Sequence, residues 1–149
     1  RWGNGAAGQT QHDVYGELLL AVEDYCEVTG GAMPAELAES LPLLVSNLAE
    51  RAMAARHEPD QGIWEPRGPA QHFVHTKALI WVALDRAVRL GKHLKGISAE
   101  KIDKWQWAAG EIRAYLKAGV DAVFADDPAT GRAAVDAQKA IKSIRTAAK

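Results

Sequence analysis

A carboxyl, an indole and a guanidinium fall within one short stretch, Gly62-Ile63-Trp64-Glu65-Pro66-Arg67-Gly68. A carboxyl next to an indole and an isoleucine can be partly desolvated, which disfavours its charged form and raises its pKa. It can then stay protonated near neutrality and give its proton to a departing glycosidic oxygen. The indole offers a flat apolar platform for the CH face of a sugar. Arg67 adds a fixed fork of donors suited to hydroxyls. Residue types alone leave a purely structural reading of this loop open.

Other groups invite less chemistry. His72 and His75 are spaced to share a helix face, and His57 precedes them. No cysteine or carboxylate at a suitable offset completes a metal site. Beyond Glu65, the carboxylates Glu100 and Glu111 fall in a helical pattern and Asp126-Asp127 in a turn. Cys26 sits among helical residues and reads as a small buried hydrophobe rather than a nucleophile.

The elements that must position the loop are helices. Val14, Leu18, Ala21, Val22 and Tyr25 recur at three- and four-residue steps, which predicts a helix from about Gln11 to the Gly30-Gly31 break. Leu37, Leu41, Leu44, Val45, Leu48 and Ala52 continue the pattern. Pro42 is out of place deep in a helix, so the reading is a short lead-in, Ser40 as cap, and a main helix from about Leu41 to Arg56. Prolines and glycines from His57 to Ala70 then exclude helix and predict a long loop between two roughly antiparallel helices. A third helix, from about Gln71 to Leu90, is apolar on every side of its middle and should be buried all round. A fourth, capped by Ser98, carries Ile102, Trp105, Ala109, Ile112 and Leu116 on one stripe, with Trp105 and Trp107 on opposite sides. The segment Asp126 to Gly131 reads as a turn, and from Arg132 a final helix has a basic outer face. No strand alternation stands out, so the fold class is all-α.

With 149 residues, 48% of them hydrophobic and a formal net charge of −1, the chain is one domain or part of one. The balance gives no electrostatic reason to expect nucleic acid or an anionic membrane. Its longest uninterrupted apolar run, Ala78 to Leu84, is far short of a membrane span. One cysteine cannot form an internal disulfide and suits a reducing compartment, so a cytoplasmic location is expected.

Two strings carry a family resemblance. The first is Arg1-Trp2-Gly3-Asn4-Gly5-Ala6-Ala7-Gly8-Gln9-Thr10-Gln11-His12-Asp13-Val14-Tyr15-Gly16-Glu17. The second is Pro59-Asp60-Gln61-Gly62-Ile63-Trp64-Glu65-Pro66-Arg67-Gly68, continued by His72-Phe73-Val74-His75-Thr76-Lys77 and by Trp81-Val82-Ala83-Leu84-Asp85-Arg86-Ala87. Their order and spacing resemble glycoside hydrolase family 15, which includes glucoamylases, glucodextranases and bacterial trehalases. His12, His75 and Thr76 depart from the family pattern.

The resemblance covers residues 1–118 as a partial catalytic domain and leaves 119–149 as a divergent turn and helix. It implies an (α/α)6 toroid of which four or five helices are present. It also implies inverting hydrolysis of an α-glucoside, trehalose first and α-glucan second. Glu65 would be the general acid, Trp64 a substrate-contacting aromatic, Arg67 the arginine of the motif, and Gln11 and Asp13 would face the sugar pocket. No cofactor is implied, and the partner is a carbohydrate substrate. The catalytic base would lie outside this chain, leaving apolar surface for missing helices or for self-association. The rival expectation is a non-enzymatic helical module, a remnant of such an enzyme that binds or assembles.

Overall fold

A computed structural model describes residues 8–64 and 68–124, with side chains to residue 121. Glu65 and Arg67, the opening loop, the Asp126 turn and the basic tail lie outside the described residues. The elements are α1 (Val14–Val28), α2 (Ala35–Ala55), α3 (Val74–Gly91) and α4 (Ala99–Phe124). Among the described residues there is no strand beyond an isolated antiparallel bridge between Asp60 and Gln71. The chain divides into two units, Arg1–Ile112 and Arg113–Lys149. In the second, Lys117 Nζ pairs with Asp121 at 2.6 Å, one turn apart on the helix.

Local chemistry sets the helix ends. Asp13 caps α1 by accepting from the Val14 amide (3.1 Å), so the helix starts later than the periodicity suggests. Its C-terminus closes with the Gly31 amide donating to the Cys26 carbonyl (2.8 Å). α3 begins at Val74 rather than Gln71, because Gln71 exchanges both backbone hydrogen bonds with Asp60 (2.7 and 2.9 Å) and is held extended. Ser98 caps α4 as expected, its hydroxyl accepting from the Lys101 amide at 3.4 Å.

One boundary is corrected. α2 is a single helix from Ala35 that carries Pro42 inside it. Pro34 supplies the entry, its carbonyl accepting from the amides of Leu37 (3.1 Å) and Ala38 (3.0 Å). Ser40 does not cap a second helix. Its hydroxyl donates back to the carbonyls of Glu36 (3.0 Å) and Leu37 (3.2 Å), the in-helix alternative open to serine.

Contacts along each helix fix its direction. Gly16 of α1 meets Leu79 of α3, and seven residues on in both helices Glu23 meets Arg86, so α1 and α3 run parallel. Lys77, near the start of α3, reaches Glu58 just beyond α2, while Pro42 of α2 lies by Gly96 just beyond α3. α2 is therefore antiparallel to α3. Ile102 of α4 sits against Gly91 at the end of α3. Further along α4, Trp105 bonds Glu50 and Glu111 bonds Arg56, which makes α4 parallel to α2. Successive helices alternate between two parallel pairs.

The core gathers Leu41, Val45, Ala49 and Ala52 from α2, Ile80, Ala83, Leu84 and Ala87 from α3, and Trp105, Ala108 and Ile112 from α4. From Thr76 to Val88 no residue of α3 is exposed, which matches its all-round apolar sequence. Trp105 is fully buried and Trp107 is 59% exposed, as their opposite sides require. α1 holds a surprise. Its stripe of Val14, Leu18, Ala21 and Tyr25 is exposed, and the buried face is the opposite one, built on Gly16 and Leu19. A Cβ at Gly16 would lie 2.9 Å from both the carbonyl carbon and the Cβ of Leu79. Glycine lets the two backbones meet there.

Candidate active site

The two sequence strings converge at one end of the α1–α3 pair. Residues 10–12 run beside residues 60–61. The Gln61 amide donates to the Thr10 carbonyl (3.0 Å), and the Thr10 amide donates to Gln61 Oε1 (2.9 Å). The His12 amide donates to Asp60 Oδ2 at 3.0 Å. Thr76, in the first turn of α3, donates its hydroxyl to the same carboxylate at 3.0–3.2 Å. Asp60 is 1% exposed, so these are bonds between groups withdrawn from water.

The turn that follows needs its glycine. Gly62 has φ +61°, and a Cβ there would come within 2.8 Å of the Phe73 ring. Beyond it Ile63 and Trp64 point outward, Trp64 with 86% of its surface exposed. The indole is not packed over the described residues. Glu65 follows by one residue and Arg67 by three, both outside the described residues.

Gln11 is half-buried, and Asp13 is buried. Besides capping α1, Asp13 presents Oδ2 to His75 Nδ1 at 3.7 Å. His12 is also buried, stacked on Tyr15 with ring centroids 6.2 Å apart, and its Nε2 lies 3.9 Å from Glu58. His12, His75 and Thr76 therefore all touch the residues of this corner.

Sequence reasoning missed Lys77. It is 2% exposed, and its ammonium donates to the Glu58 carbonyl at 2.6 Å. Burial lowers its pKa, and the negative charges of Asp60 and Glu58 pull the other way. The nearby His72 is also held below its usual pKa, chiefly by burial and then by the Lys77 charge, against the opposing pull of Asp60. A lysine following His-Thr in an apolar helix gives no sequence signal of burial at both ends.

Glu111 and Glu100, the two helical carboxylates considered beyond Glu65, have structural partners. Glu111 is an ion pair with Arg56 (2.7 Å) and lies 3.2 Å from His57 Nε2. Arg56 also donates to the Met53 carbonyl (2.6 Å) and lies over the Trp107 ring, 5.4 Å from its centroid. Glu100 pairs with Lys104 on the surface at 2.7 Å. Among the described residues no three His, Cys, Asp or Glu side chains group as metal ligands, and no helix is long and apolar enough to cross a membrane. A cleft of about 560 Å³ opens at the far ends of α1 and α3, between Cys26, Met33 and His93. It lies at the opposite end of that helix pair from the Asp60 corner.

The described fold is all-α, with residues 10–13 and 60–64 brought together at one end of the α1–α3 pair. Residues 1–138 match the family described as Glycosyl hydrolases family 15, and the chain belongs to that family. It is 39% identical over 124 residues to the trehalase of Mycolicibacterium smegmatis, covering 81% of this chain and 17% of that protein. The trehalase of Mycobacterium tuberculosis is 37% identical over the same shares. Trehalase 2 of Sulfolobus acidocaldarius is 33% identical over 76% of this chain and 19% of its own length. The chain thus spans less than a fifth of these relatives. No solved structure matches it.

Proposed function

We propose that this segment is part of the catalytic domain of an inverting glycosidase that hydrolyses trehalose, with Glu65 as general acid. The observation that carries the reading is the stitching of residues 10–12 to residues 60–61, which sets the two motif strings side by side. Trehalase is the printed name of relatives that match over most of the chain. Glu65 would protonate the leaving glycosidic oxygen while a second carboxylate, outside this segment, activates water about 6.5–9.5 Å away on the opposite face. Trp64 stacks against a glucose ring and Arg67 holds its hydroxyls. Gln11 and Asp13 face the sugar from the other string. Further helices of the (α/α)6 toroid would cover the exposed stripe of α1.

The test is Glu65→Gln in the complete protein that contains this segment. Glutamine keeps the shape and a donor but has no proton to transfer, so turnover of trehalose is expected to fall about 10²–10⁴-fold with binding nearly intact. Wild-type turnover in that variant would remove Glu65 from the role. The 149-residue chain alone should release no glucose from trehalose, because in this reading the second carboxylate lies outside it.

A further inference from the structure

Asp60 and Lys77 are the two most deeply buried charged side chains of the described fold, and neither belongs to the acid-and-platform set above. Each ties the loop to a neighbour. The Asp60 carboxylate takes one donor from the first string, the His12 amide, and one from α3, the Thr76 hydroxyl. Lys77 holds the backbone two residues upstream, at the Glu58 carbonyl. Removing a charge from water is costly, and well-packed apolar residues commonly stabilise a core as well or better. A buried carboxylate joining three segments is therefore better explained by the geometry it enforces than by the stability it adds. What it enforces lies close by: Gln61 binds Thr10, Gly62 turns against Phe73, and Trp64 follows.

We propose that Asp60 is a positioning residue of the candidate site. Its carboxylate locks the Thr10–Asp13 string, the start of α3 and the 61–64 turn into one register, with Lys77 as buried counter-charge. The Thr76 hydroxyl is the third member of the lock. This rests on the glycosidase reading, because the turn matters to catalysis only if it presents Glu65.

The test uses Thr76→Val, Asp60→Asn and Thr76→Ser in the complete protein. A misplacement of about 1 Å away from the chemistry can cost on the order of 10²-fold. The first two variants should therefore lower kcat for trehalose about 10–100-fold with KM little changed. Thr76→Ser, which returns the hydroxyl, should recover most of the loss. Far-UV circular dichroism at the assay temperature gives the folded fraction. Wild-type kcat in both variants, or a loss no larger than the unfolded fraction explains, overturns the proposal. A second measurement is independent of turnover. With fluorotryptophan incorporated throughout that protein, the Trp64 resonance (assigned by Trp64→Phe) should shift or broaden in Thr76→Val while that of Trp105 (assigned by Trp105→Phe) holds. An unmoved Trp64 resonance also overturns it. If Glu65→Gln retains turnover, Glu65 alone loses the acid role, and the resonance then decides whether Asp60 sets the turn.

Discussion

Replacing Gly16 by alanine tests the helix contact on which the corner depends. An added Cβ would stand 2.9 Å from two carbon atoms of Leu79, and closer still to its carbonyl oxygen. Carbon atoms prefer about 3.5–4.0 Å, so α1 and α3 must part by about 0.6–1.1 Å at this point. The facing carbonyl is backbone and cannot rotate aside. Overpacking of this kind costs about 1–3 kcal/mol. Alanine also gains about 0.8–1.0 kcal/mol over glycine in a helix, which would mask part of the loss. Gly110 supplies the correction: it is exposed on α4, and a Cβ there meets nothing within 4 Å. Gly110→Ala should therefore be stabilising, and the difference between the two variants isolates the contact at about 1–3 kcal/mol. Urea denaturation of both variants, followed by circular dichroism and tryptophan fluorescence, measures it. Equal stabilisation by the two alanines would refute the parallel close approach of α1 and α3.

Trp64→Ala should leave the unfolding free energy within about 0.5 kcal/mol of wild type, because the residue is 86% exposed, while raising KM for trehalose in the complete protein. Glu111→Ala strands the buried Arg56 guanidinium and should cost about 3–5 kcal/mol, whereas Glu100→Ala on the surface should give no measurable change in the same melt. His72 has a folded-state pKa below its ordinary value, so as pH falls through that range the unfolded chain binds more protons than the folded one and stability declines. Denaturation midpoints at pH 7 and pH 5 should accordingly differ less in His72→Gln than in wild type.

Much of the helical layout is written locally. Three- and four-residue spacing marks all four helices, Ser98 announces the start of α4, and the prolines and glycines of 57–70 announce the loop. Trp105 against Trp107, and the all-apolar middle of α3, follow from helical period and hydropathy alone. The boundaries that slipped did so for tertiary or competing local reasons. Gln71 stays extended because Asp60 takes both its backbone bonds. α2 runs through Pro42 because residues from Pro34 onward already close its first turn, leaving Ser40 inside the helix.

The loop residues Trp64, Glu65 and Arg67, and the string with Gln11 and Asp13, could be singled out from residue types and resemblance. Which of them meet could not. Bonds between residues 48 to 51 positions apart, from His12 to Asp60 and from Thr10 to Gln61, carry no mark in either string. The same holds for the buried faces. α1 has apolar residues on both sides, and periodicity reports a helix without saying which side is covered. A glycine at position 16, small enough to admit the backbone of α3, decides it. Nothing in the sequence marks Lys77 and Asp60 as buried. Only the packing of α2, α3 and the first string around them makes them the buried centre of the corner, since burial belongs to the neighbours a residue acquires and not to the residue itself.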